Sequence, residues 1–289
     1  IQQPNQQPIT SNLQQVNLQQ RIGKQEYVRK VETMLEHIHK GDIYEANFCM
    51  EYYADNATIN PLEKFTKLNE ISQAPFSVFF KNSQQYLLSA SPERYLKKED
   101  DLIISQPIKG TAKRFTSADE DQLSKNNLAN DPKERSENIM ITDLVRNDLS
   151  RTAQKGSVHV EELCGIYSFQ QVHQMISTIT SRLKPEHSAI DVLKTTFPMG
   201  SMTGAPKISA MQIIENLEET KRGLYSGAFG YFTPDNTFDF NVVIRSILYN
   251  QEEKYVSFSV GSAITSLSIP ENEYEECLLK AKAMREVLT

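Results

Sequence analysis

"LYSGAFGYFTPDNTFDFNVVIRSILYNQEEKYVSFSVGSAIT", Leu224 to Thr265, holds three apolar runs rich in β-branched and aromatic residues. Two turn signals separate them, the Pro–Asp–Asn group at Pro234–Asn236 and the charged Gln251–Glu253. Runs of this kind between such breaks read as strands, and tight turns join strands that run antiparallel. The stretch predicts a three-strand antiparallel meander. Upstream, "PFSVFF", "QYLLSAS", "RYLKK" and "DLIISQPI", between Pro75 and Ile108, read as further short strands, the last two joined by a turn at Glu99–Asp101. In "IYEANFCMEY", Ala46, Phe48, Met50 and Tyr52 alternate onto one face, with Glu45 and Asn47 on the other.

Helical patterns lie between these runs. "KQEYVRKVETMLEHIHKGD" spaces Val28, Val31, Met34, Leu35 and Ile38 along one helix face, with Gly41 as its stop. A polar helix is expected over Thr116–Ala129, and stronger ones in "KERSENIMITDLVRNDLSR", "HSAIDVLKTTF" and "PKISAMQIIENLEETK", the last opening at Pro206. A closing helix starts near Glu271. Strands in runs and helices set apart from them define an α+β fold with largely antiparallel sheets. The glutamine-rich opening, residues 1–20, reads as a linker or frayed segment, which leaves 21–289 as a single domain without internal repeats.

At 289 residues, with 39% hydrophobic and 24% charged residues, the chain has the composition of a globular protein. A net charge of −6 and the absence of a basic stripe with interleaved aromatics argue against nucleic acid as a partner. No apolar run approaches the roughly 20 residues that a membrane span needs. Cys49, Cys164 and Cys277 are widely spaced and odd in number, which fits neither a disulfide framework nor a metal site and points to a reducing cytoplasm.

Several groups could do chemistry. Glu134 and Glu137 lie three apart in one helical pattern, and Glu273 and Glu276 repeat that spacing in another. Either pair alone describes a solvated face; facing each other, the four carboxylates would make an all-oxygen site suited to magnesium. "FPMGSMTGAPK" sets Gly200, Ser201, Thr203 and Gly204 before a helix, where free N–H groups could hold an anion or simply form a turn. Arg245, in an apolar run, is either paired with a buried carboxylate or aimed at an anionic ligand. Lys280, four residues after Glu276, is its ion-pair partner or a second cation in the same cleft. Lys109, between an isoleucine and a glycine in "SQPIKGTAKR", lacks the glycine-rich loop of a phosphate binder; it is a salt-bridge partner or a nucleophile.

From about Gly41 onward the chain resembles the chorismate-utilising enzymes, which include anthranilate, aminodeoxychorismate, isochorismate and salicylate synthases. The similarity is carried, in the family's order, by "GDIYEANFCMEY", "SASPERYLK", "PIKGTAKR", "ERSENIMITDLVRNDLSR", "FPMGSMTGAPKISAMQIIENLE", "RGLYSGAFGYF", "DFNVVIRSI" and "ENEYEECLLKAKA". It implies two antiparallel sheets packed as a sandwich, helices outside and an active site in a central cleft. It also implies that Glu137 and Glu276 bind Mg2+, supported through water by Glu134 and Glu273, and that the ion holds the ring carboxylate of chorismate. Arg245, Tyr225 and the amides of Gly261, Ser262 and Ala263 would take the enolpyruvyl carboxylate, with Thr203 and Gly204 also against the substrate and Lys280 near the ring. Glu93 would protonate the departing hydroxyl.

Within this family "PIAGT" resembles the anthranilate synthases and "PIKGT" the bacterial aminodeoxychorismate synthases. The lysine here implies the second branch, which leads to para-aminobenzoate and folate. A nucleophile entering at carbon 2 expels the carbon-4 hydroxyl through the ring unsaturation. If Lys109 enters first, ammonia must attack carbon 4 and displace the lysine, giving 4-amino-4-deoxychorismate. Attack requires a neutral amine, so burial or a nearby cation is expected to lower the lysine pKa. Ammonia would come from a separate glutamine amidotransferase. Anthranilate, isochorismate and salicylate synthesis are the alternatives. The chain departs from the family pattern at Met199, which fills a glycine slot, at Ser262–Ala263, which replace two glycines, and at Gln174, in a slot held by histidine in anthranilate synthases.

Overall fold

A computed structural model describes residues 16–170 and 172–289. β1 (Gln19–Gln20), α1 (Lys24–Lys40), β2 (Glu45–Ala54) and α2 (Pro61–Ser72) come first. Five strands follow, β3 (Phe76–Asn82), β4 (Gln85–Ser91), β5 (Arg94–Glu99), β6 (Leu102–Gln106) and β7 (Ile108–Lys113). Next are α3 (Ala118–Asn130), α4 (Pro132–Ser150), β8 (His159–Ser168), β9 (Val172–Arg182), α5 (Ala189–Thr196), a 3-10 turn at Gly200–Met202, β10 (Gly204–Ala205) and α6 (Lys207–Leu217). The chain ends with β11 (Ala228–Phe232), β12 (Phe238–Val242), β13 (Ser246–Asn250), β14 (Tyr255–Thr265) and α7 (Pro270–Leu288).

All the strand pairings are antiparallel, in two sheets. The first runs β1-β2-β14-β13-β4-β3 with β10 also on β2; the second runs β11-β12-β5-β6-β9-β7 with β8 also on β9. The expected α+β sandwich is what forms. One apolar cluster joins the first sheet to α1, α6 and α7, and a second joins the other sheet to α4 and α5. Cys49 of β2 belongs to the second cluster while its neighbours Phe48 and Met50 belong to the first. β2 is therefore buried on both faces, and its alternating sequence separates two interiors rather than an interior from solvent.

Helix ends follow local chemistry. Gly41 closes α1 at φ 84°, its N–H bonded to the His37 and Ile38 carbonyls. Asp131 opens α4 by accepting from the Glu134 N–H, with Pro132 in the first turn, where a missing N–H costs nothing. Ser188 and Asp191 form a reciprocal capping box on α5.

The strand assignments need correction. The stretch from Leu224 to Thr265 is not a meander: β11 and β12 pair in the second sheet, and β13 and β14 pair in the first. The chain changes sheets between Val242 and Ser246, with Arg245 at φ 52°. Alternation continues across such a switch, so periodicity gives no sign of it. α2, β7, β8 and β9 have no counterpart in the pattern reading; β7 was obscured by Gly110, which suggests a turn but here holds φ 91° inside a strand. Of the expected N-terminal linker, residues 1–15 lie outside the described residues. Val16 is buried, and Gln19 and Gln20 pair with Tyr53 and Tyr52.

Candidate active site

Two segments cross between the sheets side by side. β4 passes into β5 through Pro92 and Glu93, and β12 passes into β13 through Val243–Arg245. They are tied by Ser91 Oγ donating to the Val242 carbonyl at 2.6 Å, Val242 N to the Glu93 carbonyl at 3.1 Å, and Ala90 N to the Arg245 carbonyl at 3.2 Å. The crossing sets an acid and a guanidinium at the junction of the sheets. Burial pushes the Glu93 carboxyl up to about 7, against the opposing pull of Ser201, Lys109, the Ile108 backbone and Lys280. That value keeps a large protonated fraction near neutrality. Among the described residues the Arg245 guanidinium has no ion pair and no side-chain hydrogen bond. Partial burial lowers its basicity, with Tyr225 and Glu276 the largest opposing influences. Of the two readings of Arg245, the structure removes the one that needed a carboxylate partner.

Lys109 lies in β7, with 8% of its surface exposed, and donates from Nζ to Glu45 Oε1 at 2.8 Å. The expected lowering of its pKa is not found. Burial pulls it down, but Glu45, Glu137 and Glu93 outweigh burial and hold it above the ordinary lysine range. The resting side chain is an ammonium because carboxylates, not cations, surround it.

The two acidic helices do face one another. Lys133 of α4 reaches Glu273 Oε1 of α7 at 2.8 Å and Glu137 Oε1 at 3.7 Å. Against burial, which lowers its pKa, Glu273, Glu137 and Glu276 together raise Lys133. Burial pushes Glu137 up to about 7, and Glu134 is raised by burial and by Glu276. Glu276 falls below the ordinary range: burial would raise it, but Lys280, Lys133 and Lys109 prevail. Glu137 Oε1 and Glu273 Oε2 are buried without a hydrogen bond. Among the described residues no three acidic or imidazole groups converge as a finished cage. Paired carboxylate oxygens lacking donors do fit Mg2+, which takes one or two carboxylates and keeps its waters. Glu137 and Glu276, with Glu134 and Glu273 beside them, are the residues that would hold it.

The glycine-slot residues are part of β14. Gly261, Ser262 and Ala263 stand opposite Cys49, Phe48 and Asn47. Cys49 N donates to Glu218 and Asn47 N to the Thr203 carbonyl, away from β14. Those two pairs are thus the non-hydrogen-bonded kind, which turns the Gly261 and Ala263 N–H groups away from β2 as well. Lys280 Nζ bonds both Glu276 Oε1 at 2.5 Å and the Gly261 carbonyl at 2.9 Å, so it is at once ion-pair partner and cleft cation. A side chain at Gly261 would put its Cβ 2.6 Å from Cys49 Sγ. Tyr225 is buried with its hydroxyl 3.7 Å from Cys49 Sγ.

Thr203 and Gly204 do not form an open helix N-terminus. Gly204–Ala205 is strand β10 on β2, and the Thr203 and Ala205 carbonyls accept from Asn47 and Tyr44. The Thr203 hydroxyl turns back to the Met199 and Gly200 carbonyls. Gln174 is buried in β9 opposite Thr111, and Met199 packs in the second core. Sequence reasoning overlooked Glu45 and Lys133. Glu45 did stand opposite the Ala46, Phe48, Met50 and Tyr52 face of its alternating run, but no role was assigned to it.

Residues 1–286 match the family of chorismate binding enzymes. A chloroplastic aminodeoxychorismate synthase from Arabidopsis thaliana is 40% identical over 264 residues, covering 90% of this chain and 28% of that protein. Aminodeoxychorismate synthase component 1 of Escherichia coli K12 is 38% identical over 258 residues, 89% of this chain and 56% of that one. The chain thus spans little more than half of the bacterial relative and less than a third of the plant one. Among solved structures, anthranilate synthase component I from Streptococcus pneumoniae superposes with a TM-score of 0.84 at 31% identity, covering 94% of this chain and 60% of that chain. The menaquinone-specific isochorismate synthase of Escherichia coli, at 20% identity and a TM-score of 0.83 over 96% of this chain and 64% of that one, shares the fold.

Proposed function

Since this chain belongs to the family of chorismate binding enzymes, we propose that it aminates chorismate at carbon 4, giving 4-amino-4-deoxychorismate through a covalent bond to Lys109. The observation that carries this reading is Lys109 itself, a buried amine in the cleft beside Glu93 and the acidic helices. The relatives named aminodeoxychorismate synthase support the same branch.

The roles follow from charge and position. Arg245, half-buried and without a partner among the described residues, takes a carboxylate of the substrate, and the outward N–H groups of Gly261 and Ala263 add donors. Mg2+ on Glu137 and Glu276 would supply a fixed double positive charge for the other carboxylate. Glu93, half protonated near neutrality, gives its proton to the leaving hydroxyl. Lys109 Nζ forms the bond at carbon 2, and ammonia then enters at carbon 4 as that bond breaks. Ammonia would be delivered by a separate glutamine amidotransferase. A reducing compartment, the cytoplasm, fits the three free buried cysteines. No described helix is long and apolar enough to cross a membrane.

The test is product identification. With chorismate, Mg2+ and ammonium salt the chain should make 4-amino-4-deoxychorismate without releasing pyruvate, and glutamine should not replace ammonium. Lys109→Ala should lose that product. Anthranilate or salicylate as the main product would overturn the proposal.

A further inference from the structure

The proposed reaction leaves Glu45 without a task, yet Glu45 is the one hydrogen-bonding partner of Lys109 Nζ among the described residues. Only 1% of its surface is exposed, and its second oxygen, Oε2, is buried with no donor. Its backbone is held on both sides, opposite Ala205 in β10 and Thr265 in β14. Gly204 lies so close that a Cβ there would sit 2.1 Å from the Glu45 carbonyl. The carboxylate therefore stands on a strand that cannot retreat from the lysine. The other charged groups facing Lys109 are Glu93 from the sheet crossing, Glu134 and Glu137 from α4, and Glu276 from α7, all acidic. On β9, His173 is turned to Asp121 of α3 instead.

Two effects compete at Nζ. Burial favours the neutral amine, and a carboxylate in contact favours the ammonium. Contact prevails here, and Glu45 is the strongest of the carboxylate contributions. We propose that Glu45 is the positioning residue for Lys109, fixing its side chain in the cleft and holding it as the ammonium, so that in the intact site the neutral amine forms by passing a proton to Glu45 Oε1. In the amination proposed above, on which this step rests, Nζ gives Oε1 that proton and its freed electron pair bonds to ring carbon 2. The carbon-4–oxygen bond breaks, and Glu93 protonates the departing oxygen, which leaves as water. When ammonia displaces the lysine, Oε1 returns the proton to Nζ, and the new ammonium on carbon 4 reprotonates Glu93.

The hold on the proton is measurable without substrate. Lys109 in the full chain is labelled with acetic anhydride across a pH series, and the extent is read by peptide mass spectrometry. Glu45→Gln should move the midpoint of labelling down by at least about one pH unit, a tenfold gain in reactive amine below the midpoint. Glu45→Asp keeps a carboxylate and should stay nearer the unmutated chain. An unchanged or higher midpoint in Glu45→Gln, or an equal fall in both variants, overturns the proposal. If Glu45→Gln fails to fold, Glu45→Ser carries the same expectation. A second arm supplies chorismate and Mg2+ without ammonia and follows the Lys109 adduct. The acid limb of its formation should shift down in step with labelling. If labelling shifts but the unmutated chain forms no adduct, the amination reading falls and the role of Glu45 stands. An adduct whose pH dependence ignores Glu45, with unshifted labelling, does the reverse.

Discussion

Burial acts on Glu93 and Arg245 in opposite ways. A carboxyl can escape the cost of desolvation by keeping its proton, and Glu93 does so up to about 7. A guanidinium has no such escape, so Arg245 stays charged and unpaired at the sheet crossing, a cost that an anionic ligand would remove. For Glu93, the folded-state value lies above the reference of 4.5, so the stability cost of its charge appears as pH rises through about 7. Glu93→Gln should therefore melt higher than the unmutated chain at pH 8, with the gap closing toward pH 4.5 in a thermal-denaturation series. The same variant should lose about a hundredfold or more in kcat with little change in KM for chorismate; a KM effect alone would make Glu93 a binding residue. Arg245→Met should raise stability by about 1–3 kcal/mol while abolishing chorismate binding by calorimetry. A lower melting temperature would reveal a structural partner for the guanidinium. The kinds of residue at these positions were readable from the sequence. The contact of Lys109 with Glu45 was not, because it joins two strands in different sheets.

At the level of elements, spacing revealed half of the acidic cluster. Three-residue intervals put Glu134 with Glu137 and Glu273 with Glu276, but only the Lys133 bridge from α4 to α7 joins the two pairs. Glu137→Gln or Glu276→Gln should remove Mg2+ binding in titration calorimetry and nearly abolish turnover, while circular dichroism stays unchanged. Full activity at limiting Mg2+ in either variant would reassign the ligands. The strands from Leu224 to Thr265 were legible singly and misassigned together, because period-two alternation says which way a side chain points but not which sheet receives it. β10 was illegible for another reason: two residues are too few for any periodicity. Its weight lies in Gly204, at φ 157° with the Glu45 carbonyl and Ala46 Cα close by. Gly204→Ala should cost about 2–4 kcal/mol by denaturant unfolding, through strain and overpacking. A neutral result would mean β10 can move off β2 freely.

Across the whole molecule, α+β class and antiparallel sheets could be read from runs and turns, whereas strand order could not, since it depends on partners far apart in sequence. The ladder of β2 with β14 pairs Ala54 with Val256 through to Glu45 with Thr265. A ribosome making this chain releases β2 long before its main partner exists. At roughly 5–20 residues per second the delay is on the order of tens of seconds. Throughout that interval an apolar strand with unpaired N–H and C=O groups is available to any other edge it meets. Nascent chains stalled at Asn250 should be cleaved by protease within residues 45–54, and chains stalled with all of α7 emerged should not. Protection of β2 at the earlier stall would show that it has found another partner. The strand that separates the two interiors in the finished protein is thus the one most in need of a holding chaperone during synthesis.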